Sequence, residues 1–175
     1  MKMRAVALCG LVAMGILATV TAVLLQAAEP DPAALLKKAD EQFDQKNYKD
    51  SSETYEGLLK ATPRHEKWRH ASERIIQCKL RLQLFDEALD AAESYVKLCV
   101  ATPYEARAER LAGNLYMLVP HWGTRAGGKF HRAQWKQGIN VRSFSHDKKL
   151  AVAHMERARE LYAKYDGDPK GLAAL

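Results

Sequence analysis

Cysteine is scarce in this chain, and its spacing excludes a cysteine-based metal site. Of the three cysteines, Cys9 lies in the first apolar segment, and only Cys78 and Cys99 come later. Neither stands in a metal-ligand spacing with a histidine. If the two lie on antiparallel helices joined near Phe85, they are offset by roughly 10 Å along the helix axes, which is too far for a disulfide. We therefore expect two buried, unpaired thiols.

The chain also lacks a complete catalytic or nucleotide-binding motif. Residues 123–130 nearly spell a phosphate-binding loop, but Phe130 has no hydroxyl for magnesium and no strand is predicted before it. Ser145 and Lys148 have the spacing of the penicillin-binding serine enzymes without the partner motifs of that class. Ser145 is better interpreted as a helix N-cap, with Asp147 in the first turn, where the helix dipole favours a carboxylate. We predict that the chain is not an enzyme and binds no nucleotide.

Histidine offers no metal site either. The six histidines include no pair at the i, i+4 spacing of a helical metal site. We interpret them as scattered surface residues and predict neither a metal nor another cofactor.

Acidic residues are absent from residues 119–146, which carry cations and aromatic side chains instead. Between residues 121 and 159 nine Lys or Arg face only two acids, so the charge is concentrated at one end of the chain. Such asymmetry favours an anionic partner, although a solvated basic face is the alternative. The candidate contact residues here are Trp122, Arg125, Lys129, Arg132, Trp135 and Lys136.

The first 28 residues form a targeting segment. Lys2 and Arg4 are followed by an uncharged, mostly apolar run over residues 5–25. This pattern predicts either a cleaved signal peptide or an N-terminal membrane anchor. We expect export to the periplasm or cell envelope, which makes nucleic acid an improbable partner. Residues 166–175 are interpreted as a tail.

Residues 29–165 show apolar side chains at helical spacing and turn signals between the periodic segments. Six helices are predicted, the last from about Ser145 to Tyr165, and no alternating strand is recognised. Thr102 and Glu105 have the spacing of a capping box at the start of the fifth helix.

The helices pair into hairpins that resemble the tetratricopeptide repeat. In the first pair, small, aromatic and proline positions of the repeat are occupied by Ala39, Phe43, Tyr48, Ser51, Tyr55, Leu58 and Pro63. The third pair carries a similar Gly113-Asn114-x-Tyr116 core. The small residue of the repeat turn falls at Ser51, Ala88 and Ala151, so the first spacing is near the family's period and the second is longer by about 26 residues.

This resemblance implies an all-α fold, a short right-handed stack of antiparallel helical hairpins. The units cover about residues 31–63, 64–102 and 103–165, and the basic insertion 119–146 interrupts the third. The implied function is a non-enzymatic interaction or scaffold module that binds a peptide or protein on its concave face. The matching positions on that face are Phe43, His70, Gln77, Arg81, Arg107, Arg110 and Asn114.

Three interpretations of the insertion remain open. Its aromatic residues, with Phe130 and Ile139, pack back onto the repeats and cap them, leaving the cations in water. Alternatively, the cations and aromatics bind an anionic lipid surface or an acidic partner, as an accessory to an envelope enzyme or larger complex. The third interpretation is disorder.

Overall fold

The part of the chain that the structure describes, residues 31–64 and 66–165 of a computed structural model, is mostly helical. The predictions for residues 1–28 and 166–175 lie outside the described residues. The described elements are α1 (Pro32–Asp44), α2 (Tyr48–Ala61), α3 (Trp68–Arg81), α4 (Phe85–Cys99), α5 (Glu105–Leu118), β1 (Trp122–Ala126), β2 (Lys129–Arg132), β3 (Ile139–Arg142) and α6 (Phe144–Tyr165). The helical character expected from the sequence is confirmed.

Each helix packs mainly against the helix before it and the helix after it. The buried side chains come from the helical stripes that the sequence shows, and Tyr55, Leu58 and Tyr95 are the largest of those that are almost fully enclosed. Small residues allow close approach where paired helices meet. The Ser51 hydroxyl donates to the Ala39 carbonyl at 2.9 Å. In the last helical pair, a Cβ added at Gly113 would lie 3.1 Å from the Ala151 carbonyl oxygen.

The turns after α1 and α3 have the same backbone geometry. Lys46 and Gln83 lie at equivalent places, with φ of 62° and 59° in the left-handed region. In each turn the next residue donates its N–H to the carbonyl five residues before it, Asn47 to Gln42 and Leu84 to Lys79. This is the Schellman arrangement that ends a helix. The two turns are 37 residues apart, which is also the spacing between Ser51 and Ala88. The repeat is therefore present in the backbone geometry as well as in the sequence.

The insertion contains a three-stranded antiparallel sheet, so the expectation of no strand was wrong. The strand order is β2-β1-β3. Gly127 and Gly128, both at positive φ, make the two-residue turn between β1 and β2, which is a common glycine-dependent hairpin connection. Gly123 lies so close to β2 that an added Cβ would meet the His131 carbonyl oxygen at 2.2 Å. The alternation of polar and apolar residues is broken by these glycines, which hid the strands.

Two predicted helix starts also need correction. α5 begins at Glu105 rather than after Thr102, and the Glu105 carboxylate accepts the Ala101 N–H at 2.8 Å. α6 begins at Phe144, so Ser145 is not its N-cap. Asp147 does lie in the first turn of α6, as predicted.

The prediction of two buried, unpaired cysteines is confirmed for Cys78 and Cys99. Burial raises the pKa of the Cys99 thiol to about 11 and also raises that of Cys78. Both thiols are therefore protonated at neutral pH, where a thiol is a weak nucleophile. Among the described helices, none combines the length and the apolar character that crossing a membrane requires.

The close approach of α5 to α6 can be tested with a pair of glycine variants. Gly57 in α2 has open space around it, so Gly57→Ala should stabilise the fold by roughly 0.5–1 kcal/mol through helix propensity. Gly113→Ala should give little or none of this gain, because its Cβ meets Ala151 and Met155. Gly113→Val should destabilise by about 1–3 kcal/mol. Urea unfolding measures all three, and equal stabilisation by the two alanine variants would contradict the close packing.

Candidate functional site

A groove follows α3, with α1 and the α2–α3 connection bordering one end and α5 the other. Three adjoining hollows make it up, and the central one, between α3 and α5, has a volume of about 460 Å³. We call this surface the α3 groove. Six of the seven residues predicted for the concave face line it, namely His70, Gln77, Arg81, Arg107, Arg110 and Asn114. Phe43 is the exception. Its ring packs edge-on against Tyr48 and beneath the Arg74 guanidinium.

The α1 end of the groove carries both signs of charge, and Asp40 within it is already bonded. Asp40 accepts a hydrogen bond from the Tyr55 hydroxyl and lies 2.7 Å from His70 Nε2. Burial alone raises the pKa of Asp40, but the bonds to His70 and Tyr55 outweigh it, so the pKa is lowered. Burial, with the neighbouring carboxylate, raises the pKa of Tyr55. This cluster joins α1, α2 and α3, and it leaves His70 less free to contact a ligand than the sequence suggested.

The middle of the groove holds a second satisfied acid. Glu73 accepts from Arg107 at 3.0 Å and from the Tyr95 hydroxyl at 3.2 Å. Arg107 is therefore part of a bond between α3 and α5. Its side chain remains 38% exposed, so it still borders the groove.

The far end of the groove is basic and apolar. The side chains of Arg81, Arg110 and Asn114 are exposed and make no hydrogen bond or ion pair with any described residue. The apolar side chains around them are Ile76, Leu80, Leu111, Leu115 and Leu118. Leu118 is 72% exposed, which is unusual for a large apolar residue. This end can accept an apolar side chain next to a carboxylate, since a guanidinium and an amide both donate to carboxylate oxygens.

Arg132, predicted as a contact for an anionic partner, is instead buried between the sheet and the helices. Its guanidinium donates to both oxygens of Asp147, at 2.7 and 3.1 Å, and to Asp86 at 3.1 Å. It also donates to the Pro120 carbonyl at 2.7 Å. We call the Arg132, Asp147 and Asp86 group the arginine clasp. The side chains of Arg132 and Asp147 are 5% and 0% exposed, so the prediction of a binding role for Arg132 was wrong.

Two further groups complete the surroundings of Asp147. The Ser143 hydroxyl donates to Asp147 Oδ2 at 2.7 Å, and His121 Nδ1 lies 2.9 Å from the same oxygen. Burial alone raises the pKa of Asp147, but the bonds from Arg132, Ser143 and His121 outweigh it and hold the pKa below its ordinary value. A serine nucleophile would need its hydroxyl bonded to a base such as histidine. Here the Ser143 hydroxyl donates to a carboxylate that is already paired with Arg132, and it accepts a hydrogen bond from the same guanidinium at 3.0 Å.

The outward face of the sheet collects most of the insertion's cations and both of its tryptophans. In β1–β3 this face carries Trp122, Lys129 and Arg142, because directly paired residues of antiparallel strands share a face. The loop after β2 adds Trp135, whose ring stacks on Trp122 at 4.8 Å, and Lys136. We call these five residues the tryptophan face. The predicted set did not include Arg142, since only the strand register shows that it belongs.

The aromatic capping hypothesis is not what the structure shows. Trp135 and Ile139 are 69% and 70% exposed, and Trp122 is also exposed. The buried cation Arg132 bonds the sheet to α4 and α6, with the half-buried Phe130 beneath its guanidinium. Arg125 lies on the opposite face from Trp122, so it does not join the tryptophan face.

His154, interpreted from sequence as a surface residue, is enclosed between α4, α5 and α6. Its Nδ1 lies 2.5 Å from Glu109 and its Nε2 lies 3.0 Å from Glu93. The ring also stacks on Tyr116. Burial lowers the pKa of His154, but the bonds to the two carboxylates outweigh it, so the pKa is raised. Across residues 31–64 and 66–165, no cluster of three or more His, Cys, Asp or Glu side chains could hold a metal ion.

No model of a known protein family matches the chain, and no curated protein matches it either.

The arginine clasp should make a large contribution to stability. Asp147→Ala leaves the buried guanidinium of Arg132 without its main partner, and we expect a loss of about 3–5 kcal/mol in the free energy of unfolding. Because the pKa of Asp147 is lowered in the folded state, this contribution is complete above the unfolded pKa of about 3.9 and declines as the pH falls through the folded value. Chemical unfolding at neutral and acidic pH measures both effects.

The control for the clasp is Arg125→Gln, which removes an exposed cation from the same sheet. It should change stability by no more than about 0.5 kcal/mol. A similar small loss for Asp147→Ala would show that the clasp does not hold the sheet.

His154 gives a pH dependence of the opposite sign. Since its folded pKa is raised, the stabilisation is complete below the unfolded pKa of about 6.5 and is lost as the pH rises through the folded value. The stability difference between wild type and His154→Gln should therefore shrink on going from mildly acidic to alkaline solution. His146→Gln, at an exposed position of α6, is the control and should show no such trend. A difference that grows with pH would contradict the charged His154 cluster.

Proposed function

We propose that this protein is a non-enzymatic interaction module of the tetratricopeptide-like class, a scaffold at the cell envelope that binds a peptide or protein segment in the α3 groove. The observation that carries the proposal is the basic and apolar end of that groove. There, Arg110 and Asn114 are exposed and without a partner among the described residues, beside an exposed Leu118.

Three features of the helical part support membership in the tetratricopeptide-like class. Helices pack in chain order, as in repeat proteins. The turn geometry at Lys46 recurs at Gln83, close to one family period later. Small residues lie at the helix contacts that the repeat pattern assigns to them, namely Ala39 with Ser51 and Gly113 with Ala151.

The groove chemistry indicates the kind of segment that fits. The hollow between α3 and α5 has room for one or two apolar side chains over the leucines of both helices. Arg81 and Arg110 add positive charge at the same end, while Asp40 and Glu73 toward the other end are bonded internally. The expected ligand is therefore an extended or helical peptide with an apolar residue next to a carboxylate.

Location at the envelope rests on the sequence of residues 1–28, where two cations precede an uncharged apolar run. A peptide-binding scaffold delivered there would meet exported proteins or the outer segments of membrane proteins. No catalytic role is proposed, since Ser143 and His121 are both bonded to Asp147 and support the clasp.

Selection of a displayed random-peptide library on the full-length chain tests the proposal. We expect the enriched peptides to combine an apolar residue with an acidic residue or a free C-terminus. Their affinity should fall about tenfold or more on Arg110→Ala and on Asn114→Ala, because each removes a donor from the basic end. Titration calorimetry with synthetic copies gives the values.

The matched control is Lys97→Gln, an exposed cation on α4 with no partner among the described residues. Its peptide affinity should stay within about twofold of wild type, which is the effect of a charge outside the interface. Enriched peptides that bind all three variants equally would place the binding surface elsewhere and contradict the groove.

A further inference from the structure

The tryptophan face has no role in the α3 groove and is built for a different partner. It belongs to the sheet, and the sheet is fixed to the helical part by Arg132 on its other face. Its five side chains, Trp122, Lys129, Trp135, Lys136 and Arg142, are all exposed. An exposed tryptophan pair surrounded by cations is an uncommon surface for a protein to leave in water.

The charge on this face is uncompensated. Residues 119–146 contain no acid. The next acid along the chain, Asp147, is fully buried and bonded to Arg132, so it does not neutralise the exposed cations. Lys136 Nζ has only the ring nitrogen of His131 within reach, at 3.3 Å. The partner must therefore bring negative charge.

The cations are spread over the sheet rather than gathered around one point. Lys129 pairs with Ala126 at one end of β1, whereas Arg142 pairs with Trp122 at the other end, on the opposite neighbouring strand. From strand spacing and rise, their Cα atoms are about 16 Å apart. Because side chains stand roughly perpendicular to a sheet, cations at this separation are a poor fit for one small anion. A partner that presents many anions on an extended surface can contact all three cations together.

The tryptophan pair is held in place before any partner arrives. The Thr124 hydroxyl, fully buried, donates to the Gln134 carbonyl at 2.9 Å and accepts the Lys136 N–H at 3.2 Å. The Ala133 N–H also donates to the Trp122 carbonyl at 2.8 Å. These bonds fix the loop that carries Trp135 against β1. A preordered surface loses less conformational entropy on binding.

We propose that the tryptophan face docks on an anionic phospholipid bilayer, with Lys129, Lys136 and Arg142 against the phosphate groups and the two indoles at the headgroup level. Indole rings prefer this interface because they are apolar with one polar N–H. Lysine and arginine near an anionic membrane surface each strengthen binding several-fold. The N-terminal apolar run, which predicts delivery to a membrane, favours lipid over nucleic acid as the source of the phosphates.

Binding of the full-length chain to two kinds of vesicle tests this proposal. One kind is phosphatidylcholine alone, and the other is an equal mixture of phosphatidylcholine and phosphatidylglycerol. We expect tighter binding to the mixed vesicles, weakened by high salt. The triple variant Lys129→Gln, Lys136→Gln, Arg142→Gln should bind the mixed vesicles on the order of 100-fold more weakly.

A matched triple variant removes the same charge from the helical part. Lys49→Gln, Lys60→Gln and Lys97→Gln change exposed cations that have no partner among the described residues. Its vesicle affinity should stay within about threefold of wild type, because these cations lie outside the proposed contact surface. An equal loss in both triple variants would mean that net charge alone drives binding, and it would overturn the assignment to this face.

A second measurement reports how close the indole rings lie to the lipid rather than how much protein is bound. Vesicle binding through residues 1–28 therefore does not obscure it. With brominated lipids in the mixed vesicles, indole fluorescence should be quenched in wild type. The quenching should be reduced in Trp135→Phe, which keeps Trp122, and largely lost in the first triple variant. Equal quenching in wild type and the triple variant would overturn the proposal. So would a clear preference for single-stranded DNA or an acidic peptide over the mixed vesicles.

Discussion

The arginine clasp determines the shape of the C-terminal half of the described chain. A guanidinium that is 5% exposed is costly to bury unless nearly every donor finds an acceptor. Arg132 achieves this with two carboxylates from α4 and α6, the Ser143 hydroxyl just before α6 and the Pro120 carbonyl just after α5. Because those groups are far apart along the chain, the bonds set the position of the sheet relative to the helices. The direction in which the tryptophan face points follows from this single residue.

The two exposed surfaces differ in how they are built. In the α3 groove Asp40 and Glu73 are bonded to neighbouring helices, and the free groups at the basic end are Arg81, Arg110 and Asn114 beside leucine side chains. On the tryptophan face the free groups are cations and indoles, and the surface is supported from below by Thr124. A recess suits a side chain, whereas a flat array of charge suits an extended surface. The two can therefore serve one partner each without competing for the same residues.

Sequence periodicity was sufficient to locate the helices, since apolar residues at 3.6-residue spacing dominate in each. The resemblance to the tetratricopeptide repeat, rather than periodicity, supplied the concave-face positions, and six of those seven side chains line the α3 groove. Periodicity did not find the strands. Strands of four and five residues, one of them interrupted by Gly123, show little alternation of polar and apolar residues. A cation-rich segment also has the same sequence pattern whether its backbone is solvated or paired in a sheet.

The role of Arg132 could not be read from composition for a related reason. In sequence it is one of five similar cations, and only the fold brings Asp86 to it from 46 residues earlier. The same holds for His154, whose partners Glu93 and Glu109 lie on two other helices. Long-range pairs of this kind depend on the packing, so a single sequence contains no local signal for them.

The packing of helices in chain order also bears on how the chain folds. When each helix finds its main partner next along the chain, little chain entropy is lost in closing loops before contacts form, and folding can start in any hairpin. The sheet and the arginine clasp are exceptions, since the bonds of Arg132 form only when both α4 and α6 are in place. We therefore expect the helical pairs to form early in folding and the sheet to dock onto them last.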